Sequence, residues 1–237
     1  MLLNYKTSCS KIIDKKKYLA FVILIGGKSK RFGTDKGLFE LQGRPLISYQ
    51  LEVLKKFKKD IFLAANSLKQ TQKYINNIDY GVITGFIIDD NSVIREKDIR
   101  SPLIGLYSSF KELLSLNYEK TFVLACDNPF LQFEVIELLI SNSINYECCI
   151  PQWENGFVEP LFAIYPTKKA YYLCRNNLEV KEFKLDKIHD RKWKINYISI
   201  ENEIRPIDND LLTFINLNKT EDIKELKRAF KNSNIQE

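Results

Sequence analysis

Short apolar runs of strand length alternate with longer amphipathic stretches along most of this chain. LAFVILI (19–25), DIFLAA (60–65), GFII (85–88), KTFVLAC (120–126) and YECCI (146–150) read as strands. Helical patterns fill the gaps at 45–58, 68–77, 102–116 and 130–142. Pro45 and Pro102 suit first-turn positions, where the missing N–H costs nothing. The second half is less regular. There FVEPLFAIY (157–165), KINYISI (194–200) and TFINLN (213–218) read as strands, 167–177 as a helix, and Glu221 to about Phe230 as a charged closing helix. Alternation of this kind predicts an α/β fold with a mostly parallel, doubly wound sheet, right-handed crossovers and helices on both faces. Residues 1–18 are polar and lysine-rich and read as an N-terminal extension that can be mobile. With no internal repeat or low-complexity linker, residues 19–237 read as one domain.

In such sheets ligands bind at the carboxyl ends of the strands, so the residue after each strand is a candidate. Those positions hold Gly26 and Gly27, Asn66, Asp89 and Asp90, and Asp127-Asn128-Pro129. The first of them opens LIGGKSKRFGTDK (24–36). Paired glycines let the backbone turn sharply and bring N–H groups against phosphate oxygens. Lys28, Lys30, Arg31 and Lys36 surround that turn with positive charge, and Arg31 can grip a phosphate bidentately. Neither G-x-x-x-x-G-K-[ST] nor G-x-G-x-x-G is present. A solvated glycine turn with ordinary surface lysines is the plainer alternative.

The carboxylate of Asp127, at the end of the strand TFVLA, suits a hard cation, because Mg²⁺ prefers one or two protein carboxylates plus phosphate oxygens and water. Aspartates there also commonly cap the next helix, which Pro129 would open. Asp89 or Asp90 can accept hydrogen bonds from a base edge or ribose, and Asn66 can both donate and accept. Each taken singly is also an ordinary turn residue.

Composition narrows the function classes. Hydrophobic residues at 45% and charged residues at 28% are those of a soluble globular protein. The net charge of +6 is spread over the whole length, which favours an anionic small substrate over nucleic acid. Five cysteines without a C-x-x-C pair, and the single histidine His189, argue against a Cys/His zinc site. His189 has no nucleophile motif beside it, so a Ser–His–Asp triad is disfavoured. The cysteines resemble small buried hydrophobes of a reducing compartment. No signal-peptide core and no membrane-length apolar run occurs, which predicts a cytoplasmic protein without membrane contact.

Read together, these segments resemble the molybdenum cofactor guanylyltransferases (MobA), Rossmann-like nucleotidyltransferases of the glycosyltransferase-A type. LIGGKSKRFGTDK meets each fixed position of L-x-G-G-x-S-x-R-x-G-x-D-K. GRPLISYQLEVL, AAN, SPLIGLYSSF, ACDNPFL, EPLFAIY and INLNKTEDI follow in family order from about residue 19 to 230. The resemblance implies transfer of GMP from GTP to the terminal phosphate of molybdopterin, with release of pyrophosphate and Mg²⁺ as cofactor. It assigns nucleotide binding to Leu24, Ile25, Gly26, Gly27, Lys36, Asn66, Asp90 and Asp127, and the metal to Asp127. Lys36, Arg31 and Asp127 are the catalytic set, and Asn216 and Asn218 are assigned to the acceptor or metal side by analogy alone. Asp89 is one register step from Asp90, so the base or ribose contact can fall on either. Proteins that deliver molybdopterin or receive the product are the expected partners.

Departures from the family pattern are Ser101 for the glycine of G-P-L, Lys219-Thr220 for Thr-Pro, Phe32 for methionine and Glu159 for a histidine before Pro-Leu. The loop 89–101 is long and charged. Two rivals follow. A cytidylyltransferase for molybdopterin or another phosphorylated acceptor would use the same loop, although aspartates are expected in place of INLN. A non-catalytic nucleotide-binding adaptor would keep the pocket without Lys36 and Asp127 being needed.

Overall fold

The computed structural model describes residues 16–26, 35–93, 99 and 101–217. The first apolar run folds as β1 (Lys17–Leu24), beginning two residues inside the stretch read as the extension. A two-residue antiparallel pair follows, β2 (Glu40–Leu41) and β3 (Arg44–Pro45), and leads into α1 (Leu46–Leu54). Next come β4 (Ile61–Ala65), α2 (Leu68–Ile75), β5 (Gly85–Ile88), α3 (Pro102–Ser115) and β6 (Tyr118–Ala125). The second half supplies α4 (Phe133–Asn142), β7 (Cys148–Gln152), β8 (Phe162–Pro166), α5 (Thr167–Glu179) and β9 (Ile195–Ser199).

Among the described residues, seven strands form one sheet in the order β5-β4-β1-β6-β8-β7-β9. All run parallel except β8, which lies antiparallel to both β6 and β7. The exception has a simple cause. The link from β7 to β8 carries no helix, and parallel neighbours need a crossover of about a dozen residues or more.

Side chains leave β1 on alternate faces and are buried on both, as a central strand covered on two sides requires. Phe21 and Ile23 pack with Ile47, Leu51, Phe122 and Ile136 under α1 and α4. Val22 and Leu24 pack on the other face with Leu103, Leu106, Phe110 and Cys174, under α3 and α5. Cys126, Cys148, Cys149 and Cys174 are free and buried, the small-hydrophobe role expected of them. No described helix is long and apolar enough to cross a membrane.

Three expected elements differ in detail. Pro129 does not open a helix, because α4 starts at Phe133, and Phe130 and Leu131 are drawn into the core instead. In 157–165 only the C-terminal part is strand, with Val158 making a single bridge to Gln152. TFINLN is not a strand either. Leu211 takes a left-handed φ of 50°, and both oxygens of Asp208 accept backbone N–H bonds from Leu212 and Thr213 at 2.9 Å. That capture winds Leu212–Phe214 into a 3-10 turn. The expected helix from Glu221 to Phe230 lies outside the described residues.

Candidate functional site

The four parallel strands β5, β4, β1 and β6 end level with one another. Leu24 pairs with Ala64 on one side and Ala125 on the other, and Ala65 pairs with Ile88. The ladder runs one residue further, through Ile25 N–H to Ala64 O at 3.0 Å, Asp89 N–H to Ala65 O at 2.9 Å and Cys126 N–H to Leu24 O at 3.2 Å. Gly26, Asn66, Asp90 and Asp127 therefore emerge at one edge. Leu24 and Ile25 are buried beneath it, while Gly26 and Asn66 are exposed.

Lys36 reaches back across this edge. Its Nζ donates to Asp127 Oδ2 at 2.9 Å, and both side chains are partly exposed. A short 3-10 turn, Lys36–Leu38, sets the lysine, and its glycine is fixed by packing. A Cβ at Gly37 would stand 2.5 Å from the hydroxyl of Tyr74, whose ring is fully buried in α2. Only glycine lets the chain approach so closely.

The Asp127 turn is held from two sides. Gln50 of α1 is fully buried, and its Nε2 donates to Ala125 O and Asn128 O, each at 2.7 Å. From the far end of the chain, Leu217 N–H donates to Asp127 O at 3.1 Å and Asn128 Nδ2 donates to Thr213 O at 3.2 Å. Residues 215–217 thus lie against the acidic turn, with Asn216 exposed and Leu217 buried. Gln50 interrupts an apolar stripe formed by Leu46, Ile47, Leu51 and Leu54. A polar residue on a core-facing helical stripe is the signal that sequence reading passed over.

Gln70 was passed over as well. It sits at the third position of α2, whose N-cap Ser67 accepts Gln70 N–H at 3.3 Å, so S-x-x-Q forms half of a capping box. Its side chain turns towards Asn66, Ile25 and Asp35.

The two acids after β5 separate in role. Asp90 Oδ2 accepts from Lys111 Nζ at 2.5 Å, and Oδ1 accepts from Ser92 N–H at 2.8 Å. These bonds hold its carboxyl down at about 2. For Asp89 the cause is different: burial alone pushes its carboxyl up to about 6. Its Oδ1 lies on the inner side, 3.4 Å from where a Cβ of Gly105 would stand, next to Leu24. A raised carboxyl stabilises the fold below its unfolded value near 4, and that contribution is lost as pH rises through about 6. We therefore expect Asp89→Asn to gain stability over the unsubstituted chain as pH rises from 4 to 7, by up to about 2 kcal/mol. Urea unfolding of both across that range measures it, and a pH-independent difference would contradict it.

Gly27, Lys28, Lys30, Arg31 and Asn218 lie outside the described residues. A cavity of about 930 Å³ between α3 and α5, lined by Tyr107, Lys111, Tyr171 and Arg175 among others, includes none of the predicted site residues. No cluster of three or more His, Cys, Asp or Glu side chains that could hold a metal occurs among the described residues. Asp127 offers a hard carboxylate at this edge. That donor suits a cation completing its shell with phosphate oxygens and water, and does not suit an all-protein metal cage.

Parallel strands ending level beside Gly26, with a lysine–carboxylate pair across the same edge, match the arrangement expected of an α/β nucleotidyltransferase. The MobA-like NTP transferase domain model matches residues 21–189, and the chain belongs to that family. A probable molybdenum cofactor guanylyltransferase of Pyrococcus horikoshii is 31% identical over 209 residues, covering 86% of this chain and 97% of that protein. A molybdenum cofactor guanylyltransferase of Desulfosudis oleivorans is 28% identical over 90% of this chain and 96% of its own length. Among solved structures, molybdopterin-guanine dinucleotide biosynthesis protein A from Archaeoglobus fulgidus shares the fold. It has a TM-score of 0.70 at 23% identity and covers 90% of this chain and 99% of its own.

Proposed function

We propose that this chain is a molybdenum cofactor guanylyltransferase, moving GMP from GTP to the terminal phosphate of molybdopterin and releasing pyrophosphate. The observation that carries the reading is the Lys36–Asp127 pair, 2.9 Å apart at the carboxyl edge beside Gly26, in a chain of this family. Asn66 and the acids after β5 stand along the same edge, on the side where the base and ribose would lie. Asn216 is exposed beside the Asp127 turn, which is consistent with its assignment to the acceptor or metal side.

The chemistry follows from charge. An oxygen of the acceptor phosphate attacks the α-phosphorus of GTP, a P–O bond forms, and the bond from that phosphorus to the β-phosphate bridge breaks. The electron pair leaves with pyrophosphate. Both reactants are anions, so the protein must align them and neutralise the charge that accumulates between them. The Lys36 ammonium supplies one positive charge beside the leaving phosphates. Mg²⁺ held by Asp127 would supply the other neutralising charge. No protein nucleophile is required, because the acceptor phosphate is already ionised at neutral pH. The reading places this reaction in the cytoplasm, whose reducing poise suits four free, buried thiols.

Thermal unfolding with saturating nucleotide tests the base preference. A ligand that binds only the folded state at a hundred times its Kd adds about 2.7 kcal/mol of stability, a shift of several degrees. GTP with Mg²⁺ is expected to give that shift and CTP with Mg²⁺ a much smaller one. The reverse order would assign the chain to cytidylyl transfer. Pyrophosphate release from GTP plus molybdopterin separates a working enzyme from a binding-only adaptor.

A further inference from the structure

We infer that Gln70 is a positioning residue that sets three parts of the nucleotide site against one another through a single side-chain amide. The residue is buried, with only 4% of its surface exposed. Its Oε1 accepts from Asn66 N–H at 2.8 Å. Its Nε2 donates to Ile25 O at 2.8 Å and to Asp35 Oδ1 at 3.0 Å. One planar group thereby ties the residue before Gly26, the residue before Lys36 and the nucleotide-facing Asn66. Both ends of the glycine loop and the end of β4 converge on it.

The helix supplies the leverage. In an ordinary capping box the third-position glutamine returns to the N–H of the N-cap residue. Here the oxygen bonds one residue further back, to Asn66, and this leaves the NH₂ pointing across the sheet edge. An amide is the group suited to this task, because it carries one acceptor and two donors in a fixed plane. A glutamate of the same shape keeps the acceptor, loses both donors and sets a negative charge against Asp35. An exposed ion pair of Lys73 with Asp35 at 3.5 Å is the other described contact of that carboxylate, and it is worth little.

This inference rests on the nucleotidyltransferase reading, and the test separates the two. Steady-state guanylyl transfer is measured for the unsubstituted chain, Gln70→Glu, Gln70→Glu with Asp35→Asn, and Lys73→Ala, all well below their unfolding temperatures. Gln70→Glu should lower kcat/KM for GTP by about 30-fold or more, by displacing the groups that meet the phosphates, while KM for the acceptor stays the same. The amide that Asp35→Asn introduces can donate to the carboxylate that Gln70→Glu introduces. The bond then re-forms in the opposite sense, so the double variant should recover at least about fivefold. Lys73→Ala should match the unsubstituted chain.

A merely structural glutamine would lower the unfolding temperature and leave the kinetic constants of the folded enzyme unchanged. Unchanged kcat/KM in Gln70→Glu, or no recovery in the double variant, overturns the inference while the function stands. An unsubstituted chain that neither binds GTP nor turns it over overturns both.

Discussion

Asp127→Ala is expected to lower guanylyl transfer by about 10³-fold or more, with little change in the unfolding temperature. Two terms combine in this loss. The carboxylate faces Lys36 at the edge that carries Gly26, so on the proposed reading its removal would take away the anchor for Mg²⁺ against the phosphates. It also releases Lys36, whose Nζ the carboxylate holds at 2.9 Å. The fold should survive, because the turn is fixed by main-chain groups. Gln50 binds Ala125 O and Asn128 O, and Leu217 N–H binds Asp127 O. None of these bonds uses the aspartate side chain. Asp127→Asn sharpens the result, since it keeps shape and loses charge. It should be nearly as inactive and show a weakened response to added Mg²⁺. Single-turnover transfer across a magnesium titration measures this, and near-normal activity in a folded variant would sink the assignment.

Lys36→Ala should cost about 10²–10³-fold in kcat, with a rise in KM for GTP. On the proposed reading the lysine would act as a compact charge on phosphate oxygens, in the ground state and more strongly as charge moves towards pyrophosphate. Stability should change little, since its described ion pair is partly exposed and such pairs contribute on the order of 1 kcal/mol or less. Lys36→Arg is expected to recover little. The chain around Lys36 is pinned by the close approach of Gly37 to the buried Tyr74, and a longer, planar head cannot occupy the same point. Full activity in Lys36→Ala would move the burden to cations of the 28–31 segment.

Much of this architecture was legible in the chain because its strands are short, apolar and buried on both faces. The apolar run around Phe21, Val22, Ile23 and Leu24 reads as a strand, and the polar residue after each strand then marks the edge where ligands bind. The reversed β8 could also have been foreseen, since the gap between YECCI and FVEPLFAIY is too short for a crossover helix. Asp208 could not. Its grip on Leu212 and Thr213 depends on where a distant segment docks, and local pattern favoured a strand there.

At the site, sequence position delivered Gly26, Asn66 and Asp127 to one edge, because strand register does that work. It could not tell how neighbouring acids divide their labour. Asp89 and Asp90 are equivalent in the sequence, and only the neighbours Lys111, Ser92 and Gly105 distinguish a carboxylate clamped to a lysine from one turned inward. Gln50 and Gln70 escaped for a related reason. Gln70 reads as an ordinary polar position of a helix and Gln50 as a break in an apolar stripe, whereas each commits its amide to main chain or side chains of other elements.

The bonds from Leu217 to Asp127 and from Asn128 to Thr213 carry a consequence for how the protein is made. As the chain leaves the ribosome, the strand that carries Asp127 emerges some ninety residues before the segment that closes over it. Until that segment arrives, the acidic turn lacks half its support, and β1 and β6 can pair without forming a finished pocket. On the proposed reading, a nascent chain in that condition would lack a finished nucleotide pocket, so the site would mature only once residues 213–217 have emerged and docked.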